Sequence, residues 1–330
     1  MGGALVTGAA GQDGSFLLES LAADGVPVTA LVRPGEGRAL AALGLAELDV
    51  REVDLADLAG LRSTVADVRP QTLYHLGGLS SVASSWQQPA TVAVVNGVAT
   101  AALLEAVRAL EDVEGRPVRF VLASSAEIFG SPETSPQSET TPVRPVNPYG
   151  ASKAYAHQLV AAFRAQGVEA SSCILYNHES HRRPESFVTR KITAGVARIV
   201  RGEAEVLALG NLDARRDWGW APDYVRAMRL AAAHPVPDDF VVATGRAHSV
   251  RDLVEAAFLH AGVTDWEPLV RVDPGFARPT DAPELVGDAS KARRELGWRP
   301  SVGFEEMVAR MVDHDLTLPD PRSGGGSRPA

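Results

Sequence analysis

Cysteine is all but absent from this chain. Cys173 stands alone among 330 residues, so no disulfide can close within the chain and no zinc site built on cysteine pairs can form. Positive charge is also short: 32 Lys and Arg face 41 Asp and Glu, for a net charge of −9 and a pI near 5.4. The basic residues are scattered rather than gathered in a stripe, which excludes a general attraction to phosphate backbones and hence nucleic acid as a partner. Any phosphate must be held by a local device. The N-terminal stretch has neither a basic n-region nor a long apolar core, and Val6 sits where an N-myristoylation signal requires Ser or Thr. A soluble, cytoplasmic protein without a membrane partner is therefore expected. Internal repeats are lacking too, and a flexible tail is expected only over 318–330, rich in Pro, Gly and Ser. With 45% hydrophobic residues, the chain is long enough for one large α/β unit or two interleaved lobes.

What is present begins at the N-terminus. Ala4-Leu5-Val6-Thr7 reads as a short buried strand, and Gly8-Ala9-Ala10-Gly11-Gln12-Asp13-Gly14 follows at once, opening into a helical pattern over Ser15 to Ala23. Missing side chains at Gly8, Gly11 and Gly14 allow a tight turn and a close backbone approach to a pyrophosphate at the helix N-terminus. A second strand, Val26 to Val32, ends in Arg33. No acidic residue stands there to grip a ribose 2′-hydroxyl, and a cation there suits a 2′-phosphate, so NADP is favoured over NAD. Arg38 is a second candidate for that role, and a solvated loop charge is the plain alternative for both.

Strands and helices then alternate, as a parallel doubly wound sheet requires. Val50 to Val53, Thr72 to Leu76 and Arg119 to Ala123 read as strands, and Val92 to Ala109 as a long helix. Ligands of open parallel sheets sit outside the carboxyl ends of the strands. Gly77-Gly78, Ser124-Ser125 and the segment around Tyr149 are expected to converge there, with Asp54, Leu55 and Leu76 as further cofactor contacts. Beyond Asn177 the pattern loosens. Loop-rich stretches are expected over Asn177 to Glu185 and Asn211 to Pro222, with a helix near Ile192 to Arg201 between them, which suggests a second, smaller lobe.

The chemistry concentrates in Asn147-Pro148-Tyr149-Gly150-Ala151-Ser152-Lys153. With Asn147 as a cap and Pro148 in the first turn, Tyr149 and Lys153 lie one helical turn apart on one face. A free phenol has a pKa of about 10, but a nearby ammonium favours phenolate, which makes Tyr149 a candidate acceptor of an alcohol proton during hydride transfer. Ser125 and Glu127 stand two residues apart just beyond a strand. Ser125 can hydrogen-bond the same substrate oxygen as Tyr149, and Glu127 can take or give a proton. A polar loop with a solvated carboxylate is the alternative. His178 and His181 invite a metal reading, but no third ligand of clear spacing joins them, so no metal is expected.

Gly8 to Ser15, Asn177-His178-Glu179-Ser180, Phe187-Val188-Thr189-Arg190-Lys191, Leu209 to Asp213, Arg216-Asp217-Trp218-Gly219 and Gly287 to Lys291 together carry a resemblance. The chain resembles the extended short-chain dehydrogenase/reductases, and among them the GDP-mannose 4,6-dehydratases, from Ala4 to about Pro300. The Gln12-Asp13 pair is more telling than the glycines, because many related epimerases carry an apolar pair there. The resemblance implies an α/β, Rossmann-type doubly wound parallel sheet with a smaller, interleaved α/β substrate-binding lobe. Residues 1–175, with about 225–255, are expected to form the NADP-binding domain, and 176–224 with 256–317 the nucleotide-sugar lobe. It further implies a triad of Ser125, Tyr149 and Lys153, Glu127 as the acid/base of dehydration, and Asn177, Val188, Lys191, Arg216 and Arg278 as holders of the nucleotide diphosphate. A guanidinium fork fits phosphate oxygens, which supports the arginines.

The implied reaction turns a GDP-mannose-type sugar into its 4-keto-6-deoxy product with no net redox change, in a homodimer or homotetramer. Three places depart from the family pattern: Ala126, where a hydroxyl residue is usual, Gly77-Gly78-Leu79-Ser80-Ser81, and the compact stretch from Arg33 to Val50. They bear on sugar choice, NADP preference and assembly. A nucleotide-sugar 4-epimerase or 4-ketoreductase stays open as the alternative enzyme, and an inactive nucleotide-sensing protein as the alternative of another class.

Overall fold

The structure, a computed structural model, describes residues 3–42, 44, 48–276 and 284–318. The chain divides into two compact units that exchange segments: 1–178, 215–247 and 278–301 in the larger, 179–214, 248–277 and 302–330 in the smaller. The returning segments differ from the expected bounds: 215–247 stands where about 225–255 was anticipated, and 278–301 joins the larger unit. The expected flexible tail lies outside the described residues apart from Leu318.

The larger unit is built on strands β1 (Ala4–Thr7), β2 (Val28–Val32), β3 (Asp49–Glu52), β4 (Thr72–His75), β5 (Arg119–Ser125) and β6 (Ala170–Leu175), with Asp239–Val242 at one edge. Their order is Asp239–Val242, β6, β5, β4, β1, β2, β3, and every neighbouring pair is parallel. Both faces are covered by helices, so β1 and β2 are buried along their whole length and are apolar except at Thr7 and Thr29. The edge strand β3 differs: Asp49, Arg51 and Glu52 are exposed, and charge on an open edge discourages pairing with another chain. The order reverses between β1 and β4, which places a crevice outside their carboxyl ends.

Two expected elements take another form. The long helix over Val92 to Ala109 is interrupted: Ala93–Val98 is π-helical before the α-helix Ala99–Glu114 begins. Asn96, in that bulge, accepts from Leu79 N–H at 2.8 Å and donates to the Leu79 carbonyl at 3.0 Å and Ser152 Oγ at 3.1 Å. Wide turns of this kind gather at functional sites, and here the bulge contains a side chain that ties two other segments together. Likewise, Arg215–Trp220 is a strand rather than loop, pairing in parallel with Glu284–Leu285. Its charged letters conceal a buried element. Asp217 is fully buried and accepts from Thr244 N–H at 2.9 Å, Thr244 Oγ1 at 2.5 Å, Gly245 N–H at 2.8 Å and Gly287 N–H at 3.3 Å. Burial pushes this carboxyl above the usual range, and the four donors oppose that.

The smaller unit packs the helices Val188–Val200, Val250–His260 and Phe304–Thr317 on one another, with a two-stranded parallel ladder of Leu207–Leu209 and Val270–Val272. Ser249 and Asp252 form a reciprocal capping box that starts the second helix. Arg190 and Asp315, both buried, pair at 2.6 Å and join the first helix to the third.

Candidate active site

The glycine turn is shaped by its own packing before any ligand is considered. Gly8 has φ +67°, and a Cβ there would lie 2.6 Å from Gly77 Cα. A Cβ on Gly14 would lie 2.2 Å from the Gly8 carbonyl oxygen and 2.6 Å from Ala9 Cα. Gly11 is exposed and its Cβ would meet only the Gly8 carbonyl oxygen, at 3.2 Å. Two glycines therefore close the turn, and the third leaves the outer surface bare where the helix Gln12–Ala23 begins without a side-chain cap. A bare backbone at the positive end of a helix dipole, at the reversal point of the sheet, fits a dinucleotide pyrophosphate.

Behind the turn runs a buried polar chain. Thr7 Oγ1 accepts from Gly77 N–H at 3.1 Å and donates to His75 Nδ1 at 2.8 Å. His75 Nε2 lies 3.1 Å from Thr100 Oγ1, whose own proton goes to the Asn96 carbonyl at 2.9 Å. A neutral imidazole with its proton on Nε2 satisfies that sequence of donors. Burial, aided by the charge of Lys153, accordingly pushes His75 down to about 3.

The other cofactor candidates follow strand ends. Leu76 follows β4, and Asp54 and Leu55 lie just past β3, where Asp54 Oδ1 accepts from Ala56 N–H at 2.8 Å. Arg33 directly follows β2 but is paired with Glu36 and largely exposed, so a 2′-phosphate would have to displace that carboxylate. In the glycine motif, Asp13 meets His178 Nε2 at 2.8 Å, while His178 Nδ1 faces the Tyr176 carbonyl at 2.7 Å. Both ring nitrogens thus face oxygen atoms. Gln12 donates to Asp13 and to the His178 carbonyl, each at 3.1 Å. His181 lies beside the ring of His314. Among the described residues no three His, Cys, Asp or Glu side chains gather as a metal site.

The candidate reacting groups gather at the end of β5. Asn147 caps the helix Pro148–Ala165, with Pro148 in its first turn, as the sequence predicts. Tyr149 and Lys153 on that helix are both buried, and Lys153 Nζ donates to the Ala123 carbonyl of β5 at 2.9 Å. Burial lowers the Lys153 ammonium to about 8, with Asp13 acting in the opposite sense. Ser125 ends β5, and its Oγ accepts from Glu127 N–H at 3.2 Å, capping the short turn Ala126–Ile128. Glu127 Oε2 accepts from Asn147 Nδ2 at 2.8 Å. A phenol, an amine, a hydroxyl and a carboxylate therefore lie on segments that meet at the carboxyl end of β5.

Of the expected substrate-binding residues, the larger unit holds Asn177, half-buried, and Arg216, 7% exposed and donating to the Arg215 carbonyl at 2.7 Å. In the smaller unit Val188 begins its helix, and Lys191 sits 3.4 Å over the ring of Phe276. Arg278 lies outside the described residues. Sequence reasoning missed Asn96, Thr7 and His75. Their partners are tens of residues away, and no local spacing marks them.

Residues 5–311 match the family described as GDP-mannose 4,6 dehydratase. The chain belongs to that family. GDP-mannose 4,6 dehydratase 1 of Arabidopsis thaliana is 44% identical over 326 residues, covering 96% of this chain and 90% of the relative. The human GDP-mannose 4,6 dehydratase is 42% identical, with 96% and 91% covered. Among solved structures, the UDP-glucose 4-epimerase of Thermus thermophilus in complex with NAD superposes with a TM-score of 0.82 at 30% identity, covering 95% of this chain and 99% of that one. The Thermotoga maritima UDP-glucose 4-epimerase with UDP-glucose gives 0.82 at 27% identity, with 94% and 98% covered. The chain thus shares its architecture with these epimerases.

Proposed function

We propose that this chain is a nucleotide-sugar 4,6-dehydratase that converts GDP-mannose to GDP-4-keto-6-deoxymannose, with NADP as cofactor and NAD as the alternative. The observation that carries the reading is a carboxylate, Glu127, two residues beyond Ser125 and hydrogen-bonded to the cap of the Tyr149 helix. When bound, NADP would supply the redox chemistry, as acceptor of the C4 hydride and its donor to C6. Tyr149 accepts the O4 proton, with Lys153 favouring its phenolate and Ser125 donating to the same oxygen. The resulting ketone acidifies the neighbouring C5–H. Glu127 takes that proton and delivers it to the departing C6 hydroxyl, so the C6–O bond breaks and water leaves. A proton placed on C5, balanced by the one Tyr149 took from O4, completes a 4-keto-6-deoxy sugar.

Asn177 and Arg216 in the larger unit, and Val188 and Lys191 in the smaller, are the candidates for the nucleotide diphosphate. Arg33 is the candidate for the 2′-phosphate. A homodimer or homotetramer in the cytoplasm belongs to the same proposal, the compartment being supported by the acidic composition with its scattered basic residues. Incubation with GDP-mannose, followed by mass spectrometry, tests it: loss of one water supports dehydration, and an unchanged mass favours the epimerase alternative. Glu127→Gln keeps the size of the side chain and removes the base. It should still oxidise C4 and then stall, accumulating reduced-nicotinamide absorbance of which the parent enzyme should show little. Product release at the parental rate would remove Glu127 from the mechanism.

A further inference from the structure

Asn147 does two things at once. Its Oδ1 accepts from Gly150 N–H at 2.7 Å, closing the first turn of the helix that carries Tyr149 and Lys153. Its Nδ2 donates to Glu127 Oε2 at 2.8 Å. Ser, Thr and Asp cap a helix as well as Asn does, because capping needs only an acceptor. Of these, only Asn adds, beside its acceptor oxygen, an NH2 group that is a donor and nothing else. Capping therefore explains half of this side chain, and the bond to Glu127 is the other half.

The surroundings make that bond a fixed one. Asn147 is 6% exposed. The Glu127 turn and the helix start press together so closely that a Cβ on Gly150 would lie 2.5 Å from the Glu127 carbonyl oxygen. Arg144 N–H donates to the Ile128 carbonyl at 2.9 Å, so the segment leading to Asn147 is tied to the same turn. Among the described residues no donor holds Glu127 Oε1. One carboxylate oxygen is thus anchored and the other is left for a proton.

We propose that Asn147 is a positioning residue for dehydration: its amide fixes the Glu127 carboxylate relative to Tyr149, so that the group that oxidises C4 and the group that deprotonates C5 are set from one helix cap. This rests on the reading of Glu127 as the acid/base. A bound geometry held within a fraction of an ångström is worth up to about 10²-fold in rate, and without the anchor the carboxylate samples other rotamers.

Two cap-preserving variants test it. Asn147→Ser keeps an acceptor at the cap but has no amide to reach Glu127. Asn147→Asp keeps both size and cap, and places a second carboxylate where the donor was. Both should melt close to the parent and oxidise C4 in a single turnover within about twofold of its rate. Product formation should fall about 10- to 100-fold, with reduced nicotinamide held on the enzyme while GDP-mannose is present. If either folded variant forms product within twofold of the parent, or if C4 oxidation and dehydration slow equally, Asn147 acts only as a cap and the proposal is overturned. Glu127→Gln, run alongside, separates the two ideas. If it stalls while the Asn147 variants do not, only the positioning role falls. If Glu127→Gln releases product at the parental rate, the acid/base reading falls and takes the positioning role with it.

Discussion

The glycine turn and the edge at the end of β5 lie on the same side of one sheet but are determined by different forces. In the turn, backbone meets backbone: Gly8 and Gly14 have no space for a methyl group, and no rotamer change can make any. At the end of β5, side chains meet side chains. Lys153 reaches Ala123, Asn147 reaches Glu127, and Ser125 receives the Glu127 amide. A change in the first region should be felt in the fold, whereas a change in the second should be felt in the chemistry and leave the fold standing.

The strongest test of that contrast is Tyr149→Phe. It removes one hydroxyl from a buried ring, so the melting temperature should move little while turnover falls about 10²- to 10⁴-fold at nearly unchanged substrate affinity. Steady-state kinetics and a thermal melt decide it, and near-normal turnover would remove Tyr149 from the reaction. Within the turn, Gly14→Ala should cost about 3 kcal/mol or more, since its methyl group overlaps backbone. Gly11→Ala, which meets a single oxygen at 3.2 Å, should fold like the parent and lose cofactor affinity instead. Denaturant midpoints together with a cofactor titration distinguish the two. Equal stability losses would mean that the turn does not divide into packing glycines and a binding glycine.

His75 links the two regions and gives a pH-dependent test. Its pKa is about 3 in the folded chain against 6.5 unfolded. Above pH 6.5 both states are neutral and its contribution to stability is complete. As pH falls from 6.5 toward 3, the unfolded chain takes a proton that the folded chain refuses, and stability drops by about 1.4 kcal/mol per pH unit. His75→Gln should flatten that slope between pH 6 and 5, measured by denaturant midpoints; parallel slopes would show that His75 does not titrate on unfolding. The smallest expected effect is at Arg33. Because it is exposed and already paired with Glu36, Arg33→Ala should weaken NADP by about tenfold, the order of one charge-assisted bond, and NAD by less than twofold. Equal weakening of both would remove Arg33 from recognition of the 2′-phosphate.

The legible parts of this molecule were those specified by near neighbours in the chain. Gly8, Gly11 and Gly14 announce their turn because strand, turn and helix are consecutive. Asn147, Pro148, Tyr149 and Lys153 announce theirs because capping and i,i+4 spacing are local. The strand Arg215–Trp220 was illegible for the opposite reason. Arg-Arg-Asp reads as loop until Thr244, Gly245 and Gly287 supply the donors that let Asp217 be buried. The π-helical turn at Asn96 is similar, since its cause lies in Leu79 and Ser152 rather than in its own helix.

The sequence by itself determined the parallel α/β architecture and the glycine turn, and it named the candidate reacting groups, because periodicity, glycine placement and side-chain chemistry are properties of the chain read in order. Only the tertiary structure decided which long-range partner each polar group received. Asp13 meets His178 across 165 positions, and Asn147 meets Glu127 across 20. Such pairs carry no period and no composition signal. They form because burial makes an unpaired polar group costly, and the fold alone determines which partner is within reach.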